Sequence, residues 1–521
     1  MRLSHVRRAI SVRFDDPNLV SCVGLVPVMA LAERCGLTTL LVEHVKITAK
    51  GGANAAIKIL ALVAGMVCGA DSIDDMGLLR HGGMPRLFEQ VRAPSTLGTF
   101  LRLFTFGHVR QLDAVTARLL PALARATPVL PGADQYTVVD IDDTVRATYG
   151  YAKQGAGRGY TGVKGLNALL AVVSTPLAAP LIAGARLRKG STNSARGAAK
   201  LVTEALATVR RAGAVATVLV RADSAYYGHA IIAACQRAGA RFSITTRLTP
   251  AVVKAITSID ERSWVAIRYP NAIYDEDEQR WISDAEVAET VLTAFTGRRR
   301  RDRVTARLIV RRVRRLNPIT VPKGQTEAFA VYRYHAVFTD SAEPMLAAEA
   351  THRDHAIIEQ VIAELKNGPL THLPSGMFNA NAAWLLCATM AHNLTRAAAV
   401  LAGAGHARTR TDRAHPADPH PRKARALRPP ATAAPTPGLA LGSGARRTVP
   451  PRPARPPPRR RLTTAPGPDR RPTVEEPGRP AIQPCPSPTA RCRRSTTDTT
   501  QDRRWIQAQL DRQLVTSRPR S

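Results

Sequence analysis

Residues 138–151 read VVDIDDTVRATYGY, two valines followed by three acids in four positions. Side chains alternate between the faces of a strand, so Val138, Asp140 and Asp142 share one face while Val139 and Ile141 share the other. The stretch has the pattern of a buried strand whose end turns acidic. Two carboxylates two residues apart repel unless a cation sits between them, and a hard oxygen-binding ion such as Mg²⁺ suits that place. A strand that simply runs into an acidic turn fits the same letters.

The rest of the chain narrows the choice. Its 521 residues exceed one domain, and 45% hydrophobic content is enough for sizeable cores. With 74 Lys and Arg against 40 Asp and Glu, the net charge of +34 points to a polyanion partner. Residues 401–521 hold 25 Lys and Arg against 8 Asp and Glu, and 22 of the 38 prolines. That tail, with stretches such as PPRPARPPPRRRLTTAPGP, buries too little apolar surface to fold alone and is expected to be disordered. The seven cysteines fall at no metal-ligand spacing, which fits free thiols in a reducing cytoplasm; the expected location is cytoplasmic and nucleoid-associated. The opening MRLSHVRRAISVRFDD puts charges where a secretory signal would be apolar, and the longest apolar run, ILALVAGMVCGA at 59–70, is too short to cross a bilayer. No membrane partner is expected.

Residues 18–37, 55–70 and 95–123 have helical periodicity, with Ser95 placed to cap the third segment. The expectation is a helical N-terminal domain over 1–130, a candidate for DNA binding. From residue 135 the period shortens to two: TVVDID, YTGVKGLNALLAVVS and PLIAGARL read as strands. SARGAAKLVTEALATVRRAG then reads as a helix stopped at Gly213, ATVLVRADSAYYG as a strand ending on Asp223, and HAIIAACQRAG as a helix. Three strands, helix, strand, helix is the order of an α/β, ribonuclease-H-like core, in which the first and fourth strands are neighbours and bring their acids together. The catalytic domain is expected over 131–405, with 245–340 as a β-rich insertion and 406–521 as the tail. Arg311 and Arg312, on a strand that also carries Arg307 and Arg314, are candidate phosphate contacts or a solvated face. In RLRKGSTNSARG, 186–197, Arg186, Arg188 and Lys189 precede a helix N-terminus, where phosphate binding or an ordinary capped loop both fit.

THRDHAIIEQVIAELKNG, 351–368, has helical spacing that sets His352, His355, Glu359 and Lys366 on one face beside an apolar stripe of Ile358, Val361, Ile362 and Leu365. Glu359 is the candidate third acid, Glu364 the second choice, and an ordinary amphipathic face the plain alternative. The D-x-D-x-T-V string at 140–145 also resembles the nucleophile signature of haloacid-dehalogenase-type phosphatases. That reading requires a later G-D-x-x-x-D pair, whereas VRADSAYYG has one acid and no preceding glycine. A DNA-binding remnant without catalysis is a third class, marked by salt-dependent binding and no metal dependence.

Together, VVDIDDT, VLVRADSAYYG and HAIIEQVIAELKNGPL resemble the DDE transposases of bacterial insertion sequences, in particular the group typified by insertion sequence 1380. The likeness runs from about residue 10 to 405 and takes in YGYAKQGAGRGYTGVKGLNALLA and RLRKGSTNSARGAAKL. It implies two-metal-ion cleavage and transfer of DNA strands, with Asp142, Asp223 and Glu359 as the catalytic, metal-holding acids and Asp140, Asp143 and Lys366 in support. The implied cofactor is Mg²⁺, with Mn²⁺ able to substitute. The implied partner is double-stranded DNA, at terminal inverted repeats and at the target, held by a homodimer. His352 and His355 stand where the family's helix carries Tyr and Arg. Beyond about residue 408 the likeness ends, and Arg/Pro/Ala strings are what a GC-rich gene yields out of frame, so the tail reads as frameshifted or decayed.

Overall fold

The computed structural model describes residues 20–149, 153–267, 285–314 and 332–403, with the backbone of 274–275 and 280–281. The expected tail, 406–521, and the first residues of the N-terminal block lie outside these. Helices come first: α1 (Leu25–Arg34), α2 (Leu37–His44), α3 (Ala55–Val67), α4 (Met84–Leu87), α5 (Pro94–Leu101) and α6 (Phe106–Ala126). The third helical pattern is two helices, because Thr105 starts a new one. Its Oγ1 accepts the His108 N–H at 3.4 Å while His108 Nδ1 accepts the Thr105 N–H at 3.2 Å, a reciprocal cap. Ser95 is not a cap: α5 begins at Pro94 with Ala93 before it, so Ser95 lies inside the helix.

The sheet begins with the acidic stretch. In chain order come β1 (Tyr136–Ala147), β2 (Gly157–Arg158), β3 (Lys164–Ser174), β4 (Leu181–Lys189), α7 (Ala198–Arg211), β5 (Thr217–Ala222), α8 (His229–Arg237), β6 (Arg241–Thr246) and α9 (Pro250–Thr257). There follow β7 (Val265–Ile267), a separate pair β8 (Tyr274–Asp275) and β9 (Arg280–Trp281), then β10 (Ala285–Ala294), β11 (Val304–Arg314) and β12 (Tyr332–Thr339). Three helices close the described chain: α10 (Met345–Arg353), α11 (Ile357–Lys366) and α12 (Phe378–Leu401).

The mixed sheet runs β2-β3-β1-β5-β6-β12-β11-β10-β7, with β4 beside β2 on the outer edge of β3. β1 is antiparallel to β3 and parallel to β5, and β5 is parallel to β6. The parallel register pairs Ile141 with Ala222, so Asp142 and Asp223 follow at the same level of adjacent strands. The β-rich segment expected as an insertion extends the same sheet. β12 pairs antiparallel with β6, and β11 and β10 continue outward from it. β6 would otherwise leave a row of unpaired backbone groups beside a buried strand, and β12 supplies their partners.

The N-terminal helices and the sheet bury one continuous core, in which Leu37, Leu62 and Leu112 join Val172, Leu201 and Trp384. The join is α12, which packs against α1, α3, α5, α6 and β4. The expected boundary near residue 130 therefore separates no independent cores. Among the described residues no single helix is long and apolar enough to cross a membrane. The bent pair α1 and α2, which passes by composition, buries Val28, Leu31, Leu37 and Leu41 in the shared core. At the far end of β1, beside Ala147, the strands converge through glycine. A Cβ on Gly190 would stand 1.9 Å from the Gly165 carbonyl and 2.4 Å from that of Gly157, so only glycine lets these chains meet.

Candidate active site

Asp142 lies in the middle of β1, which runs on to Ala147 instead of ending at the acids as the sequence suggests, and it opens into a cleft of about 330 Å³. Asp223, Thr245, Arg311, His335, His355 and Glu359 are among the other residues lining it. Asp142 Oδ1 accepts the Asp143 backbone N–H at 2.7 Å. Burial, joined by the charges of Asp223 and Asp143, pushes the Asp142 carboxyl up to about 7, against the pull of that N–H and of His355. Asp223 terminates β5 and caps the turn Ser224–Tyr226 by accepting the Ala225 N–H at 2.9 Å. Its carboxyl is also raised, by burial first and by the Asp143 charge, while the Ala225 N–H, His355 and Arg247 oppose the shift. Two neighbouring carboxylates are thus left short of positive charge.

Glu359 lies exposed in the first turn of α11 and lines the same cleft. Glu364 is turned away: its carboxylate takes Arg396 at 2.5 Å and lies 3.7 Å from His392. Among the described residues no three of His, Cys, Asp or Glu form a ready-made metal cage. The fit to a hard divalent cation therefore rests on Asp142 and Asp223, oxygen donors whose raised carboxyls mark uncompensated charge. Glu359 faces the cleft without closing a three-ligand set.

The supporting residues divide sharply. Asp140 needs no metal between itself and Asp142, because its cation is Arg221. The 0%-exposed carboxylate takes Arg221 Nε and Nη2, both at 2.7 Å, and His355 Nδ1 at 2.7 Å. Although burial alone would raise it, Arg221 and His355 hold this carboxyl below its ordinary range. Arg221 also donates to the carbonyls of Thr351 and Asp354, where the expected single helix breaks into α10, a short turn at Asp354–Ala356, and α11. His352 lies beneath, between Ser243 Oγ and Thr245 Oγ1 at 2.9 Å each, and burial drives its pKa down to about 3. Lys366 is half-buried; burial and Arg146 lower its pKa, and the Asp142 charge opposes them.

Asp143 points to the other side of the strand, into a knot with Arg188, Asn167 and Ser194 Oγ, the last at 3.1 Å. Arg188, a candidate phosphate contact, is buried there and collects the carbonyls of Ser194 at 2.7 Å and Arg196 at 2.8 Å. It presents nothing to a ligand. Arg186 bridges Asp113 at 3.1 Å and Glu204 at 2.6 Å. Lys189 is exposed. Arg311 lines the cleft and pairs with Glu349 at 3.1 Å. Arg312, one residue on, points away and is buried: it bonds Glu286 at 2.6 Å and Glu261, and lies between the rings of Trp264 and Tyr332 at 4.2 and 4.4 Å. Arg221 and Arg247 are site residues outside the sequence-based expectation. For Arg221 a signal was present, since an arginine two residues before Asp223 on a buried strand requires an acid opposite it.

A family model described as transposase DDE domain group 1 matches residues 4–414. No curated protein matches the chain. A solved structure to which it is similar is the cryo-EM structure of the piggyBac transposase synaptic complex with hairpin DNA. The TM-score is 0.35 and the identity 11%, over 76% of this chain and 79% of that one. The family span covers the whole sheet, the cleft and α12, and the chain belongs to the DDE transposases, enzymes that cleave DNA.

Proposed function

We propose that the chain is an insertion-sequence transposase of the group typified by insertion sequence 1380, cleaving and transferring DNA strands at terminal inverted repeats. Asp142, Asp223 and Glu359 are its catalytic acids, on a ribonuclease-H-like core. The observation that carries this is the β1–β5 register, which sets Asp142 beside Asp223 in one cleft with both carboxyls raised. The strand order around β1 supports the core assignment. The phosphatase alternative has its nucleophile in Asp140, which is 0% exposed, lines no part of the cleft and is held by Arg221 and His355, so it meets no phosphate there.

Asp142 and Asp223 would hold the divalent cation, with Glu359 joining from α11; bound there, Mg²⁺ or Mn²⁺ supplies charge neutralisation and an activated water or 3′-OH at neutral pH. The remaining steps belong to the protein. Asp140 and Arg221 fix the His355 ring and the start of α11, which sets where Glu359 stands. Lys366 and Arg247 put positive charge beside Asp142 and Asp223, where a scissile phosphate would lie. A homodimer on paired ends is the assembly such a reaction uses.

The test is cleavage of a labelled duplex ending in the inverted repeats, with Mg²⁺, with Mn²⁺ and with EDTA. Nicking at the repeat ends is expected with either metal, and loss of it with EDTA or in Asp223→Asn and Glu359→Gln. Nicking that persists in EDTA, or in either variant, overturns the assignment.

A further inference from the structure

We infer that the hairpin tip between β10 and β11, residues 297–303, grips the phosphate backbone of duplex DNA outside the cleft; this rests on the reading of DNA as substrate. The tip reads GRRRRDR, and Arg298, Arg299, Arg300, Arg301 and Arg303 are all exposed. Arg301 approaches Asp302 only to 3.8 Å, and among the described residues no carboxylate lies in ion-pair range of Arg298, Arg299 or Arg300. Farther along the same hairpin, among the described side chains, Arg307 is answered by Glu289 at 2.5 Å and Arg312 by Glu286 at 2.6 Å across the two strands, and Arg311 by Glu349 of α10 at 3.1 Å. A merely solvated face would show the interleaved acids that the rest of this hairpin has. Five like charges in one turn repel one another, and a duplex carrying two phosphates per base-pair step relieves that repulsion.

The tip is also held in place. The N–H groups of Arg298 and Asp302 donate to the carbonyls of Phe295 and Arg299 at 2.9 and 2.8 Å, and Arg303 Nε reaches the Arg298 carbonyl at 3.3 Å. Phe295 adopts φ 61°, a conformation uncommon outside glycine, and its ring stacks on Tyr227 at 5.5 Å and meets His229 edge-on at 5.6 Å. Tyr227 follows Asp223 by four residues. The arginines are therefore tethered, through Phe295 three residues before Arg298, to the segment bearing a cleft acid.

The experiment measures the Kd of the full chain for an inverted-repeat duplex from about 50 to about 300 mM salt, a range over which each phosphate contact contributes about 0.9 to the log–log slope. Wild type is compared with R298S/R299S/R300S/R301S and with R298K/R299K/R300K/R301K. The serine variant is expected to lose about 2 to 3 of the slope and to bind at least about tenfold more weakly near 150 mM salt. The lysine variant is expected to retain both, and the serine variant to cleave with unchanged kcat and raised KM. A serine variant with wild-type slope and Kd overturns the inference while leaving the DNA reading intact. A lysine variant as weak as the serine one overturns the charge assignment, and a wild type without salt-dependent duplex binding overturns both readings.

Discussion

On one side of β1, Asp143 is met by Arg188, Asn167 and Ser194; on the other, Asp142 faces Asp223 and, among the described residues, no cation is bonded to either. The two are chain neighbours, equally acidic in sequence. What separates them is the sum of donors that folding brings to each carboxylate. A buried acid with matching donors is a structural tie, and removing one partner strands the other. A buried acid without them keeps a demand for positive charge that a ligand can meet.

The largest effect that would sharpen this contrast is on catalysis. Asp142→Asn is expected to lower kcat for strand cleavage by about 10³-fold or more while duplex Kd changes less than about threefold; near-normal nicking would erase the distinction between the two faces. Next comes Asp143→Ala, which leaves Arg188 buried and unpaired. It should cost about 3–5 kcal/mol in denaturant unfolding, and an unchanged midpoint would show the knot to be dispensable.

A smaller effect follows from pH. The Asp142 carboxyl is shifted from 3.8 to about 7 on folding, so the native state binds the proton more tightly. Its contribution to stability is full below about pH 4 and is lost as pH rises through 7. Without divalent cations, Asp142→Asn should therefore flatten the decline between pH 4 and 7 and be about 1–2 kcal/mol more stable than wild type at pH 8, after allowance for screening. Parallel pH profiles for the two proteins would rule this out. The smallest change is Lys366→Met, expected to lower kcat/KM about tenfold with stability nearly unchanged; wild-type kinetics would remove Lys366 from the site.

The alternation of valine and acid was enough to read β1, and the apolar runs of β3, β4 and β5 were equally plain. β6, RFSITT, has no such run and is not legible as a strand, because its burial is imposed by β5 and β12 on either side. The same non-local pairing joins β12, β11 and β10 of the expected β-rich insertion to the sheet. The gathering of Asp142, Asp223 and Glu359 in one cleft was legible as residue types on two strands and on a helix face, while the roles of the arginines were not. Arg188 finds Asp143 from 45 residues away and Arg221 finds Asp140 from 81, and no local pattern records such pairs. For the same reason the break at Asp354–Ala356 was invisible, since it accompanies the capture of two carbonyls by Arg221.

The helix α12 has a consequence for how such a molecule can change over generations. Trp384, Leu385 and Leu394 lie in the core that the N-terminal helices and the sheet fill together. A recombination event that exchanged the leading helices for those of a relative would bring in side chains shaped to a different α12, encoded more than 250 residues downstream. The heritable unit is thus the whole span from α1 to α12, and diversity should accumulate in exposed turns rather than by shuffling of modules.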